Sequence, residues 1–181
     1  MKKELNISIH SLQDIAEVVR SRKMDLNIVS IRSSDCPEEE YSFFEKYRGN
    51  YSSIVIEEFD DIEFPDDKFK IVTCAEIERI LLWAKGKDRI AVHCTAGVSR
   101  SAAVAYLVAC SRMSASEAIK VLDPDIHYPN ALVLLEGMKI LKDRSIEDQY
   151  RKWLKTADER SGMNLLRSMT PFRSQTAITE V

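Results

Sequence analysis

The chain predicts an α/β fold in which a central, mostly parallel sheet is flanked by helices. Two observations lead there. Short apolar runs of strand character alternate with segments of helical period, which is how parallel strands and their crossover helices read in sequence. After residue 100 the strand runs stop and several helical segments follow one another. With 181 residues the chain is large enough for a substantial core.

Taken in order, Leu5–Ile9 alternates apolar and polar residues and reads as a first short strand. Ser11 then opens a helix through about Arg22, with Leu12, Ile15, Ala16 and Val19 on one face. Leu26–Ile31 is a second strand, ended by the polar, turn-forming Ser33-Ser34-Asp35-Cys36-Pro37. Residues 41–47 suit a short helix, and Ser53–Phe59 a third strand. The acidic loop Asp60-Asp61-Ile62-Glu63-Phe64-Pro65-Asp66-Asp67 follows.

Thr73-Cys74-Ala75-Glu76 has the spacing of a capping box, so a helix begins there and runs to Lys85 before Gly86 ends it. Arg89–His93 is an apolar run that reads as a buried strand. Ala102–Cys110 begins a helix to about Met113. Ser114-Ala115-Ser116-Glu117 is a second capping box, opening a short helix that stops before Asp123-Pro124. Pro129 fits the first position of a helix to about Lys142. Ser145 to about Arg160 is amphipathic, with Ile146, Tyr150, Trp153 and Leu154 inward. This divides the chain into a domain over 1–160 and a polar C-terminal tail over 161–181. The tail's last residues, Thr179-Glu180-Val181, match a loose carboxylate-capture motif.

Between the fourth strand and the next helix lies His93-Cys94-Thr95-Ala96-Gly97-Val98-Ser99-Arg100-Ser101. A tight loop entering a helix turns backbone N–H groups inward, and the helix dipole adds partial positive charge, so an anion is favoured there. Arg100 adds a planar charged fork matched to two phosphate oxygens. Gly97 permits dihedrals that a side chain would forbid. The field that attracts phosphate also favours the thiolate of a cysteine placed in it.

The stretch resembles the His-Cys-x-x-Gly-x-x-Arg-Ser/Thr loop of the cysteine-dependent tyrosine and dual-specificity phosphatases. The resemblance spans about Ile54 to Leu141. It implies a phosphotyrosine phosphatase-like fold of the dual-specificity type, with a helical cluster after the loop. It also implies that Cys94 is the nucleophile and that Thr95, Ala96, Gly97, Val98, Ser99 and Arg100 bind the phosphoryl group. Ser101 would assist the sulfur's departure, and His93 would order the loop from behind through hydrogen bonds. The family's general acid is an aspartate just past the preceding strand. Asp61 fits first and Asp60 second, while Asp66 and Asp67 sit further along. The chain lacks the Trp-Pro-Asp loop of the larger tyrosine phosphatases. Pro129-Asn130 resembles the Pro-Asn that opens a late helix near the active loop. No cofactor or metal is implied.

The expected activity is hydrolysis of phosphate monoesters through a phosphocysteine intermediate. Phosphotyrosine is the first substrate, with phosphoserine or phosphothreonine beside it. A phosphoinositide or RNA 5′-phosphatase and a phosphoprotein-binding pseudophosphatase are the alternatives. Uncharged side chains at Thr95, Ala96, Val98 and Ser99 argue against the phosphoinositide case, where lysines commonly meet extra phosphates. Phosphate and other oxyanions would bind as product or inhibitors.

A net charge of −3 does not favour nucleic acid as a partner. The four cysteines, Cys36, Cys74, Cys94 and Cys110, form no CxxC pair and suggest reduced thiols. No signal peptide or membrane span is read, so a cytoplasmic monomer without membrane contact is the expectation.

Overall fold

The computed structural model describes residues 5–21, 24–64 and 66–161. Four strands, β1 (Asn6–His10), β2 (Asn27–Arg32), β3 (Ser53–Glu58) and β4 (Arg89–His93), form one sheet in the order β1-β4-β2-β3. Every neighbouring pair is parallel, with Ile9 and Val29 both opposite Val92 and Val29 opposite Val55. β2 and β4 are therefore the inner strands. Their apolar character on both faces is what a doubly covered parallel strand requires.

The period of two along these strands divides the core. Val29, Ile31, Ile90 and Val92 face one side, where they join α3 (Cys74–Ala84), α4 (Arg100–Cys110), α6 (Ala131–Leu141) and α7 (Arg144–Ser161). Ile28 and Ala91 face the other, against α1 (Leu12–Ser21) and α2 (Ser42–Lys46). The short α5 (Ala115–Ala118) completes the helical side. On α4 every residue from Arg100 to Ala109 is buried. Its alanine-rich sequence lets β1, β4, α3 and α6 approach from several directions. At Gly137 of α6 the approach is so close that an added Cβ would lie 2.3 Å from a Leu107 methyl.

Caps fix where several helices begin. Thr73 Oγ1 accepts from Ala75 N–H while the Glu76 carboxylate accepts from Thr73 N–H, the reciprocal box expected at α3. At α5 the Ser114 hydroxyl donates instead to the Glu117 carboxylate, 2.7 Å away, and caps no backbone group. The start of α6 also differs from expectation. Asn130, not Pro129, marks it: the Asn130 Oδ1 accepts from Val133 N–H at 3.1 Å, and Pro129 lies one residue outside. An asparagine acceptor satisfies a free helix N–H, which a proline at the first position only avoids wasting.

α4 ends at Cys110, three residues earlier than its periodicity suggests, and α7 extends to Ser161. Residues 162–181, with the Thr179-Glu180-Val181 motif, lie outside the described residues, as do Arg22 and Pro65. All four cysteines are unbridged. No helix among the described residues is long and apolar enough to cross a membrane.

Candidate active site

The chemistry-bearing loop leaves the C-terminal end of the inner strand β4 and enters α4 within six residues. Cys94 sits at the strand end, 1% exposed. Its sulfur is 3.2 Å from the Ser101 hydroxyl and accepts from Gly97 N–H at 3.3 Å. Gly97 has φ +76°, and a Cβ there would stand 2.5 Å from Ser11 N and 2.7 Å from the His10 carbonyl carbon. The loop thus lies against the backbone joining β1 to α1, tied by Leu12 N–H donating to Thr95 O at 3.1 Å. On its other side Tyr128 N–H donates to Val98 O and Asn130 N–H to Ser99 O.

Arg100, 3% exposed, is fixed by groups from three segments. Its Nη1 donates to Phe59 O at 2.8 Å and to Ser33 Oγ at 2.9 Å, and its Nη2 to Thr95 Oγ1 at 3.2 Å. Among the described residues Nε has no hydrogen-bond partner; the Asp61 Oδ2 stands 3.8 Å from it. Ser99 precedes α4 but makes no side-chain cap to it, so no hydroxyl competes with an anion for the helix's first N–H groups.

The two neighbouring aspartates are separated by environment. Asp60 is 7% exposed. Its carboxylate accepts from Ser34 N–H, Ser34 Oγ and Lys70 N–H at 2.6–2.9 Å. Burial pushes its pKa up, but the Ser34 and Lys70 bonds outweigh that and hold it below the ordinary aspartate value. Asp60 is a strut that folds the acidic loop back on β2. Asp61 is half-exposed and turned to the loop, its Oδ1 accepting from Ser99 Oγ at 2.7 Å and Asn130 Nδ2 at 2.8 Å. Asp66 accepts from Lys68 N–H within its own turn and does not enter this cluster.

His93 ends β4 directly before Cys94. It is wholly buried on the α1–α2 face, its ring 5.5 Å from Phe44 and 6.4 Å from Tyr41. Neither ring nitrogen has a hydrogen-bond partner within 3.5 Å among the described residues. It underlies the strand end by packing. Burial, opposed by the Cys94 backbone and aided by repulsion from Arg32, His10 and Arg100, pushes its pKa down to about 3. Four groups of the cluster have no motif in the sequence: the Ser33 hydroxyl, the Phe59 carbonyl, the Thr95 hydroxyl as an arginine clamp, and Ser34. Ser33 and Ser34 sit in a run whose composition signals only a turn.

A parallel sheet, an anion loop springing from its inner strand into a buried helix, and a helical cluster after it match the architecture expected from the loop. The fold is phosphotyrosine phosphatase-like. No family model matches the chain, and no curated protein matches it. Solved structures do. PTPMT1 in complex with PI(5)P is 12% identical, with 80% of this chain and 94% of that one covered and a TM-score of 0.49. Tk-PTP in the active form is 21% identical, covering 85% and 90%, with a TM-score of 0.39. The human tyrosine phosphatase-like serine/threonine/tyrosine-interacting protein is 15% identical, covering 64% and 76%, with a TM-score of 0.43.

Proposed function

We propose that the protein is a cysteine-dependent phosphatase of the dual-specificity type, hydrolysing phosphate monoesters on phosphorylated protein. The observation that carries this is convergence: a thiol and a buried guanidinium from one loop and a carboxylate from the distant acidic segment meet at one helix N-terminus that no side chain caps.

In the first step the Cys94 thiolate attacks phosphorus in line, forming an S–P bond as the P–O bond to the leaving group breaks. The loop N–H groups and Arg100 meet the charge on the three equatorial oxygens. With Nη1 committed to Phe59 O and Ser33, the edge of the fork left for substrate is Nε with Nη2. Asp61 gives its proton to the leaving oxygen and then, as carboxylate, takes one from the water that attacks the phosphocysteine. The Ser101 hydroxyl, 3.2 Å from the sulfur, donates to the thiolate as it departs.

Charge supports a protein substrate over a phosphoinositide or a nucleic acid 5′-end. The loop side chains from Thr95 to Ser99 are neutral, and the segments meeting the loop carry exposed acids, among them Asp35, Glu63 and Asp123, with Lys68 and Lys70 further along the acidic segment. A second phosphate beside the first would be repelled, whereas neutral or basic residues flanking a single phosphate are accommodated. The test is hydrolysis of an aryl phosphate and of phosphotyrosine and phosphoserine peptides by wild type and Cys94→Ser, with chelator present. Activity in the wild type and none in the mutant is the expected result. A reduced wild type that binds phosphopeptide without turnover would instead make this a pseudophosphatase.

A further inference from the structure

The Asp61 carboxylate is held more closely than an acid free to swing would be. Ser99 Oγ donates to its Oδ1 at 2.7 Å, and Asn130 Nδ2 donates to the same oxygen at 2.8 Å. A carboxylate oxygen has two in-plane lone pairs, so two donors saturate Oδ1. Oδ2 receives neither, and it is the oxygen facing Arg100 Nε at 3.8 Å. Asn130 is itself immobilised. It is 4% exposed, its Oδ1 caps α6 through Val133 N–H, and its Nδ2 also donates to Ile62 O at 3.0 Å. One amide therefore joins the start of α6 to the acidic loop, while Ser99 joins the phosphate loop to it.

We propose that Ser99 and Asn130 are positioning residues that occupy Oδ1 of Asp61 and so assign the transferable proton to Oδ2, aimed at the leaving oxygen. This rests on the phosphatase reading above. In the first step the Oδ2–H bond breaks and the proton passes to the leaving oxygen. That oxygen keeps the electron pair of the broken P–O bond while sulfur supplies the pair of the new S–P bond. Proton, charge and phosphoryl group all balance without a further reactant. In the second step the same Oδ2 takes the proton of the attacking water.

The test is leaving-group dependence, which a merely structural role would not move. Asn130→Ser keeps a good helix cap and removes the amide donor; Ser99→Ala removes the other. Each variant, with Asp61→Ala as reference, is assayed on phenyl phosphate and on 2,4-dinitrophenyl phosphate. The dinitrophenolate departs without a proton, whereas phenolate, whose conjugate acid ionises near the tyrosine value of about 10, needs one. Asn130→Ser is expected to lose at least about tenfold in kcat/KM, which reports only the steps through departure of the leaving group, on phenyl phosphate and less than about twofold on the dinitrophenyl ester. The hydrolysis of the phosphocysteine is common to both esters and enters kcat alone, so the comparison is made in kcat/KM, where a positioned acid accounts for roughly 10²–10⁴ of rate. The Ser99→Ala/Asn130→Ser double variant should approach Asp61→Ala in its ratio of the two esters. Equal losses in kcat/KM on both esters, or none on phenyl phosphate, would overturn the assignment and leave Asn130 a helix cap alone. A wild type inert towards both esters would remove the phosphatase reading and this one with it. Thermal melts of each variant check that the fold is kept.

Discussion

At the residue scale the adjacent pair Asp60-Asp61 divides two tasks that a sequence writes identically. Asp60 accepts three hydrogen bonds in a buried setting, and Asp61 stands half-exposed over the loop. Removing a buried acceptor strands its donors, at about 1.5–3 kcal/mol for bonds to a charged group. Asp60→Ala should therefore lower unfolding free energy by about 2–3 kcal/mol at pH 7, measured in urea, while Asp61→Ala should change it by less than about 0.5 kcal/mol. The sign of the pH dependence follows from the depressed native pKa of Asp60. Its contribution is complete above the unfolded value of 3.8 and is lost as pH falls through the lower native one. Stability curves of wild type and Asp60→Ala that run parallel down to the most acid pH would show that the Asp60 bonds do no such work. The sequence supports both aspartates as candidate acids because each follows the same strand. Only the fold-back of the acidic loop onto Ser34 distinguishes them, and that contact spans 26 residues of chain.

At the scale of elements the loop from Cys94 to Ser99 is shaped by its seat as much as by its own residues. Gly97 was legible as a residue the loop needs, for its dihedral freedom. The second reason, the β1–α1 backbone 2.5 Å from where a Cβ would be, is a long-range contact with no local sequence signal. Gly97→Ala meets both obstacles at once, a positive φ and a collision with main-chain atoms that cannot rotate away. The loop must then lift from Ser11, breaking the Leu12 N–H to Thr95 O bond and the Gly97 N–H contact to the Cys94 sulfur. Phosphate binding to the Gly97→Ala variant, followed by calorimetry or by inhibition, should weaken at least about tenfold, which is about 1.4 kcal/mol. An unchanged phosphate affinity would mean that the loop does not depend on this close approach.

At the scale of the whole molecule the parallel α/β architecture was readable because its inner strands are apolar on both faces and α3 begins at a recognisable capping box. What local pattern does not carry is which contacts close between distant segments: Asn130 to Asp61 across 69 residues, Arg100 to Ser33 across 67. His93 belongs to this class. A histidine before Cys94 reads as a hydrogen-bonded support, and the sheet carries it into the layer beside Tyr41 and Phe44. This placement has a consequence for the molecule as a unit. Native His93 stays neutral down to about pH 3, whereas in the unfolded chain it takes up a proton near 6.5. Native His10 and His127 are also shifted down, by burial, so all three histidines in the sequence oppose protonation when folded. Below the unfolded histidine value the unfolded state binds more protons than the native state, so stability falls as pH falls. His93 alone contributes a slope of about 1.4 kcal/mol per pH unit between the two values, one proton's worth. His10 and His127 add to it in the same direction. Urea unfolding of wild type and His93→Gln at pH 7, 6, 5 and 4 separates the contributions. The wild type should lose stability faster than the variant by about that slope from pH 6 downwards, with the two curves parallel above pH 7. If they were parallel throughout, His93 would have to be protonated in the folded protein, and the apolar setting described for it would be wrong.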